Sequence, residues 1–231
     1  MAIKQVSERI IKQNFICLDN VYKSSISHSE SELYLDNDIV YKILKKDFRF
    51  DRYLYCYLLT LKHYSNSVNI IDELYQGDKF IGITTKYIKN YESLSKSMFK
   101  LDLYEAKIIM ENIINFYNET LKDDFLYWDN HLNNMGLSNN ELYIMDIDSM
   151  KYKPSKVDIN YALNGLLALF YEIIFKEHIR NNFDNYRDII FRISGSINYL
   201  NYNLDLDEIK LLVSNTTQTT IDEKIKLLKK V

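Results

Sequence analysis

Glycine and proline are scarce in this chain, with five Gly and one Pro among 231 residues. Turns that need a positive backbone φ or a locked ring are therefore expected to be few. Cysteine is scarcer than glycine: Cys17 and Cys56 stand alone, each inside an apolar run. That excludes a disulfide framework and a Cys/His metal site, and buried thiols are expected. Neither sign of charge dominates. The 29 Lys and Arg are spread out against 32 Asp and Glu, for a net charge of −3, so the electrostatic footprint of a nucleic-acid binder is missing. No run of about 18 uncharged apolar residues is there to span a membrane. The first residues, MAIKQVSERIIKQ, carry charges throughout and have no signal-peptide apolar region. A cytoplasmic protein is expected, with no nucleic-acid or membrane partner and no sign of an obligate oligomer. Internal repeats and low-complexity linkers are also missing.

What is present is enough apolar material, 47% of the residues, for a proper core. The length suits one fold of two lobes or a single large domain. The 20 Tyr, with many Ile and Asn, suggest an AT-rich coding bias and carry no mechanism.

The informative stretch is Phe125–Met150, FLYWDNHLNNMGLSNNELYIMDIDSM. An apolar run, Phe125–Trp128, breaks into a polar loop over 129–134. A short strand, a Ser138-Asn139-Asn140 turn and a second strand, Glu141–Met145, then deliver Asp146. Two strands joined by an Asn-rich turn predict a hairpin. Asn134 and Asp146 offer the hard oxygen ligands that Mg²⁺ prefers, and Asp129 is left to orient a hydroxyl or take its proton. An Asp-x-x-x-x-Asn spacing also arises by chance in a chain rich in both residues, so the motif needs its context.

Upstream, Ile3, Val6, Ile10 and Ile11 share a helical face, which predicts a short leading helix over 3–15. A strand-like Phe15–Lys23, a Ser-rich loop (SSISHSES, 24–31) and a hairpin of Glu32–Leu35 and Ile39–Leu44 around Asp36-Asn37-Asp38 follow. Lys42 shares a strand face with Val40, which points it inward. Helical spacing of Phe50, Tyr53, Leu54, Tyr57, Leu58 and Leu61 predicts a helix within Asp47–Tyr64. Val68–Tyr75 and Lys79–Thr85 read as strands around Gln76-Gly77-Asp78. Asp102-x-x-Glu105 opens a long helix with the spacing of a capping box, and Ala106, Ile109, Met110, Ile113, Phe116, Tyr117 and Leu121 form its core stripe. A second apolar helix, from Asp158 to Ile174, carries an aspartate at its head, read locally as an N-cap after a Pro-Ser turn. Helices over about 185–199, 205–214 and 220–230 complete the chain, the last opened by Thr220-x-x-Glu223.

Asp129-x-x-x-x-Asn134 followed by apolar-apolar-Asp146 resembles the catalytic loop and metal-binding aspartate of the protein-kinase-like fold. His131, two places after the aspartate, is similar to the aminoglycoside and choline phosphotransferase branch; a small bacterial eukaryotic-like kinase is the other form of the resemblance. The resemblance covers about 15–174 and implies an α+β, bilobal architecture. Residues 1–88 would form a small antiparallel-sheet N-lobe with one packing helix, and 89–231 a mostly helical C-lobe. It implies ATP and Mg²⁺ as cofactors, Lys42 on the α- and β-phosphates, and adenine on the backbone of Lys86 and Ile88. Asp129 would be catalytic, Asn134 and Asp146 would hold metal, and Asp158 would brace the catalytic loop.

The departures from that pattern are concrete. The loop at 24–31 has no glycine, which leaves Ser25, Ser27 and Ser29 as hydroxyl substitutes for a phosphate cradle. No glutamate lies in the first-lobe helix to pair with Lys42; Asp51 is the nearest acid. Trp128 replaces the arginine that precedes the aspartate in regulated kinases, and residues 147–157 leave no room for a long activation segment. The expected function is ATP-dependent transfer of the γ-phosphoryl group to a hydroxyl acceptor, a small molecule rather than an ordinary peptide. The alternatives are a non-catalytic pseudokinase scaffold, a protein Ser/Thr kinase, or transfer of the AMP moiety.

Overall fold

The computed structural model describes residues 3–18, 31–45, 56–176 and 205–228. The Ser-rich loop with Ser25, Ser27 and Ser29, Asp51, the first half of the helix expected over 47–64, and the helix expected over 185–199 lie outside the described residues. The chain divides into two compact units, Met1–Asn90 with Met145–Ser149, and Tyr91–Ile144 with Met150–Val231.

The first unit is a six-stranded sheet. Its strands are β1 (Ile3–Gln5), β2 (Ile16–Cys17), β3 (Ser31–Asp36), β4 (Ile39–Leu44), β5 (Ile70–Gln76) and β6 (Lys79–Lys86), in the order β1-β5-β6-β4-β3-β2. Two-residue connections join β3 to β4 and β5 to β6, with Asn37 at φ 54° and Gly77 at φ 63°. Asn and Gly tolerate that left-handed region best. The leading segment departs from the sequence expectation. Ile3–Gln5 is a strand parallel to Glu73–Tyr75, and helix α1 begins only at Glu8 and ends at Asn14. Three residues added to a sheet edge bind through backbone hydrogen bonds, which side-chain periodicity does not record. The described part of the helix expected over 47–64 is α2 (Cys56–Thr60).

One face of the sheet is packed by Ile11, Tyr34, Tyr41, Ile43, Leu74 and Ile81, with Val6, Phe15, Cys17 and Ile39 at the margin. Residues 39, 41 and 43 of β4 therefore supply the apolar side, and Val40 and Lys42 point to the opposite face. Cys17 is a free thiol, half-buried rather than fully enclosed; the surroundings of Cys56 lie outside the described part. Beside Lys42 the strands approach so closely that only glycine fits at 82. A Cβ there would sit 2.0 Å from the Lys42 carbonyl oxygen, and backbone cannot step aside as a side-chain tip can. Gly82→Ala is expected to cost at least about 1–3 kcal/mol, as overpacking does. A urea midpoint equal to that of the parent would show that the strands part without penalty.

The second unit is mostly helical. Helix α4 (Leu103–Lys122), which follows the short β7 (Glu92–Ser93) and α3 (Leu94–Ser97), opens with the expected capping box: Glu105 N–H donates to Asp102 at 2.8 Å, and Asp102 N–H donates to Glu105 at 2.9 Å. Its buried stripe includes Ala106, Ile109, Met110, Ile113, Phe116 and Tyr117. Strands β8 (Phe125–Leu126), β9 (Met135–Ser138) and β10 (Glu141–Ile144) follow, then β11 (Lys151–Tyr152), which pairs with β8. The β9–β10 hairpin turns on Asn139 and Asn140, both at positive φ, the conformation of a type I′ turn.

Helix α5 (Lys156–Ile174) starts before Asp158. Ser155 is its N-cap, and Asp158 is the third helical residue, its carboxylate accepting from the Ser155 N–H and hydroxyl. By length and composition α5 could cross a membrane. It is nevertheless a core helix of its unit, with Ala162, Leu163, Leu166, Leu169 and Phe170 buried. Helix α6 (Leu206–Asn215) carries an Asp205–Glu208 capping box. Helix α7 (Gln218–Leu228) is opened by a reciprocal Thr217–Thr220 pair instead of the expected Thr220–Glu223. Both corrections place the cap three residues upstream of the expected position, because either hydroxyl or carboxylate fits the spacing.

Candidate functional site

The sheet unit gathers a lysine and two aspartates. Lys42 projects from β4, away from the apolar cluster, and its Nζ lies 3.0 Å from Asp146 Oδ1. The same nitrogen is 3.0 Å from Asp148 Oδ1 and 2.9 Å from Asp148 Oδ2. The Lys42 and Asp148 side chains are 14% and 3% exposed, whereas that of Asp146 is 47% exposed. Burial by itself would disfavour the ammonium, but the Asp146 and Asp148 carboxylates outweigh it and hold the Lys42 pKa above the lysine range. For Asp148, burial is the largest influence and pushes the carboxyl up; Lys42 opposes this and Asp146 adds to it. Asp146 is therefore the acid of the pair that can offer an oxygen outward. Its φ of 55° is a left-handed conformation, of the kind that persists where the surroundings over-determine it. The 3-10 turn Ile147–Ser149 locks this geometry, with Ser149 Oγ donating to the Asp146 carbonyl at 2.9 Å.

Asp148 answers the question of the missing glutamate. The acid that pairs with Lys42 sits two residues after the strand-end aspartate. The repeated Asp in Met145-Asp146-Ile147-Asp148 was the available signal, but residues 104 and 106 positions away cannot be assigned to one lysine by spacing.

Lys86 ends β6 opposite Ile39, and the next N–H, that of Tyr87, donates to the Asp38 carbonyl at 2.9 Å. Alternation in an antiparallel ladder then turns the main-chain groups of Lys86 to the other side. Tyr87 is spent on the sheet, and Ile88 follows it beyond the strand.

The helical unit holds the loop. Asn134 Nδ2 donates to Asp129 Oδ2 at 2.8 Å, which leaves the Asn134 Oδ1 available as a ligand atom. The Asp129 carbonyl accepts from His131 N–H at 2.8 Å, and the His131 carbonyl accepts from Asn134 N–H at 2.9 Å. His131 Nε2 lies 3.4 Å from Asp129 Oδ1 on a side chain that is 75% exposed. Trp128, beside Asp129, is also exposed. Among the described residues no three His, Cys, Asp or Glu gather as a metal cluster, so a divalent cation would depend on carboxamide and phosphate oxygens as well. Within each unit, the Asp146 carboxylate and the Asn134 carboxamide are oxygen donors of the type such an ion prefers.

Asp158 does not serve the loop. Besides Ser155 it pairs with Lys151 at 2.8 Å. The Lys151 hydrogen bond, followed by those from Ser155, draws its pKa down to about 2. A carboxylate with a depressed folded-state pKa adds stability above its unfolded pKa and loses it as pH falls through the folded value. The Asp158 contribution is therefore complete at neutral pH and disappears between about pH 4 and 2. Asp158→Asn is expected to remove that part of the acid limb in a titration followed by circular dichroism; an unchanged limb would rule it out.

A sheet unit bearing a lysine–aspartate pair, with a helical unit bearing an Asp-x-x-x-x-Asn loop, is an α+β protein-kinase-like fold. No protein-family model and no curated protein matches the sequence. Solved structures do match, 1480 chains in all. One is the Cydia pomonella granulovirus kinase PK-1, with a TM-score of 0.53 and 16% identity. The alignment covers 68% of this chain and 66% of that kinase, just under two thirds of its length. At that identity the likeness establishes the fold.

Proposed function

We propose that this protein is an ATP-dependent phosphotransferase that passes the γ-phosphoryl group to a hydroxyl acceptor, more readily a small molecule than an ordinary peptide. The observation that carries the reading is the 3.0 Å contact between Lys42 and Asp146, a strand lysine and a strand-end aspartate in a protein-kinase-like fold. Lys42 binds the α- and β-phosphates, and Asp148 holds its ammonium in place and charged. Lys86 and Ile88 offer backbone groups to adenine, and Ser25 and Ser27 offer hydroxyls to the phosphates. Asn134 and Asp146 are the oxygen ligands for Mg²⁺, which when bound supplies charge neutralisation on the transferring group. Asp129, held by Asn134, orients the acceptor hydroxyl and takes its proton as the new O–P bond forms and the bond to the departing diphosphate breaks. The short 147–157 connection leaves little for docking a peptide, and a cytoplasmic, soluble acceptor accords with this reading.

Thermal shift with ATP alone and with ATP–Mg²⁺ tests the proposal. A ligand at 100 times its Kd stabilises by about 2.7 kcal/mol, which at this size is a rise of roughly 5–10 °C. Asp146→Asn is expected to abolish the Mg²⁺-dependent part of that rise. Retention of both the rise and the turnover would remove Asp146 from the metal site. One observation favours a second reading, a nucleotide-free scaffold: the Lys42 ammonium already has two carboxylate partners that a phosphate must displace. No shift with either ligand would select it.

A further inference from the structure

We infer that Asn130 is a positioning residue for Asp129, bolting the catalytic loop into two long helices through a single carboxamide. This rests on the phosphotransferase reading above. The Asn130 Oδ1 accepts from the hydroxyl of Tyr117 on α4, and its Nδ2 donates to the carbonyl of Ala162 on α5 at 2.8 Å. Tyr117 and Ala162 are both fully buried. Burial pushes the Tyr117 phenol well above its ordinary pKa, so the hydroxyl stays protonated and donates at every working pH. The helix makes room for the amide at Gly165, where a Cβ would stand 2.8 Å from Asn130 Nδ2.

The inference follows from where the loop is otherwise tied. Asp129 bonds within the loop to His131 and Asn134, and farther along it the Leu132 and Asn133 carbonyls accept from the Ser95 N–H and the Tyr91 hydroxyl, each at 3.3 Å. The internal bonds keep the loop's shape, and the Ser95 and Tyr91 bonds hold its far end; neither set ties the residues beside Asp129 to α4 or α5. The aspartate at the head of α5 is engaged with Ser155 and Lys151 instead. Asn130 is covalently adjacent to Asp129, so its two tethers, one to each helix, fix the origin from which the Asp129 side chain projects. A displacement of about 1 Å at a reacting group can cost 10²-fold in rate.

The test uses ATP hydrolysis by the purified full chain, with water as acceptor, and three variants. Tyr117→Phe removes one hydroxyl, Gly165→Ala crowds the amide off Ala162, and Asn130→Ala removes both tethers. The expected result is a kcat at least tenfold lower for Asn130→Ala and severalfold lower for Tyr117→Phe and Gly165→Ala, with KM for Mg–ATP within twofold. A purely structural role would lower the melting temperature and leave kcat per folded molecule unchanged, which overturns the inference. If Asn130→Ala does not fold, the two milder variants decide it. A parent chain that neither binds nor hydrolyses ATP would instead sink the phosphotransferase reading. The anchor is then read from hydrogen exchange at the His131 and Asn134 amides. Faster exchange in Tyr117→Phe upholds it, and unchanged protection refutes it.

Discussion

Asp129→Asn is expected to lower turnover by about 10²–10⁴-fold, the usual contribution of a positioned general base, without changing the stabilisation produced by Mg–ATP. The reason for so selective an effect is local. Asn134 Nδ2 donates to Asp129 Oδ2, and an asparagine side chain at 129 can still present a carbonyl oxygen to that donor. The main-chain bonds that shape the loop, from His131 N–H to the 129 carbonyl and from Asn134 N–H to the 131 carbonyl, do not involve the side chain. The substitution therefore removes a proton acceptor and little else. Steady-state ATP hydrolysis, followed by a screen of hydroxylated metabolites, antibiotics and generic proteins with labelled ATP, measures it. If Asp129→Asn turned over at the parental rate, the proton-accepting role would pass to another group.

Lys42→Met has the larger expected effect on stability. Asp148 is 3% exposed and has both oxygens within 3.0 Å of Lys42. Removing one partner of a buried pair strands the other, at a cost of about 3–5 kcal/mol. The variant should also gain a pH dependence of known sign. Without the ammonium, burial and Asp146 both push the Asp148 carboxyl up, so the folded state binds a proton that the unfolded chain releases. Stability then rises as pH is lowered from 8 towards 5 and falls as pH is raised. Chemical denaturation at several pH values reads this. A flat profile, or a loss below about 1 kcal/mol, would mean that water reaches Asp148 freely. The double variant Lys42→Met with Asp148→Leu is expected to recover much of the loss, since apolar replacement of a whole buried pair is often neutral.

The parts of the fold legible in advance are those whose causes are local. Asn139-Asn140 between two short apolar runs is a hairpin because both asparagines accept positive φ. Asp102 and Glu105 begin α4 because a capping box needs only four consecutive residues. The cap of α5 was displaced to Ser155 because Ser155 and Asp158 are each competent, and the reciprocal bond uses both. The strand at Ile3–Gln5 was hidden for a different reason: its partner, Glu73–Tyr75, lies 70 residues away and recognises only backbone.

By itself, then, the order of residues determined the hairpins, the long helices, the candidate trio Asp129, Asn134 and Asp146, and the kinase-like succession of motifs. These rest on turn chemistry, periodicity and spacing, which act over a few residues. Only the tertiary structure decided that Asp148 is the acid of Lys42, that Lys42 faces away from the apolar cluster, and that Asn130 and not Asp158 holds the loop to the helices. The Lys42–Asp148 and Asn130–Ala162 contacts join residues 106 and 32 positions apart, where the cost of burying a charge or an amide selects the partner and sequence distance carries no information.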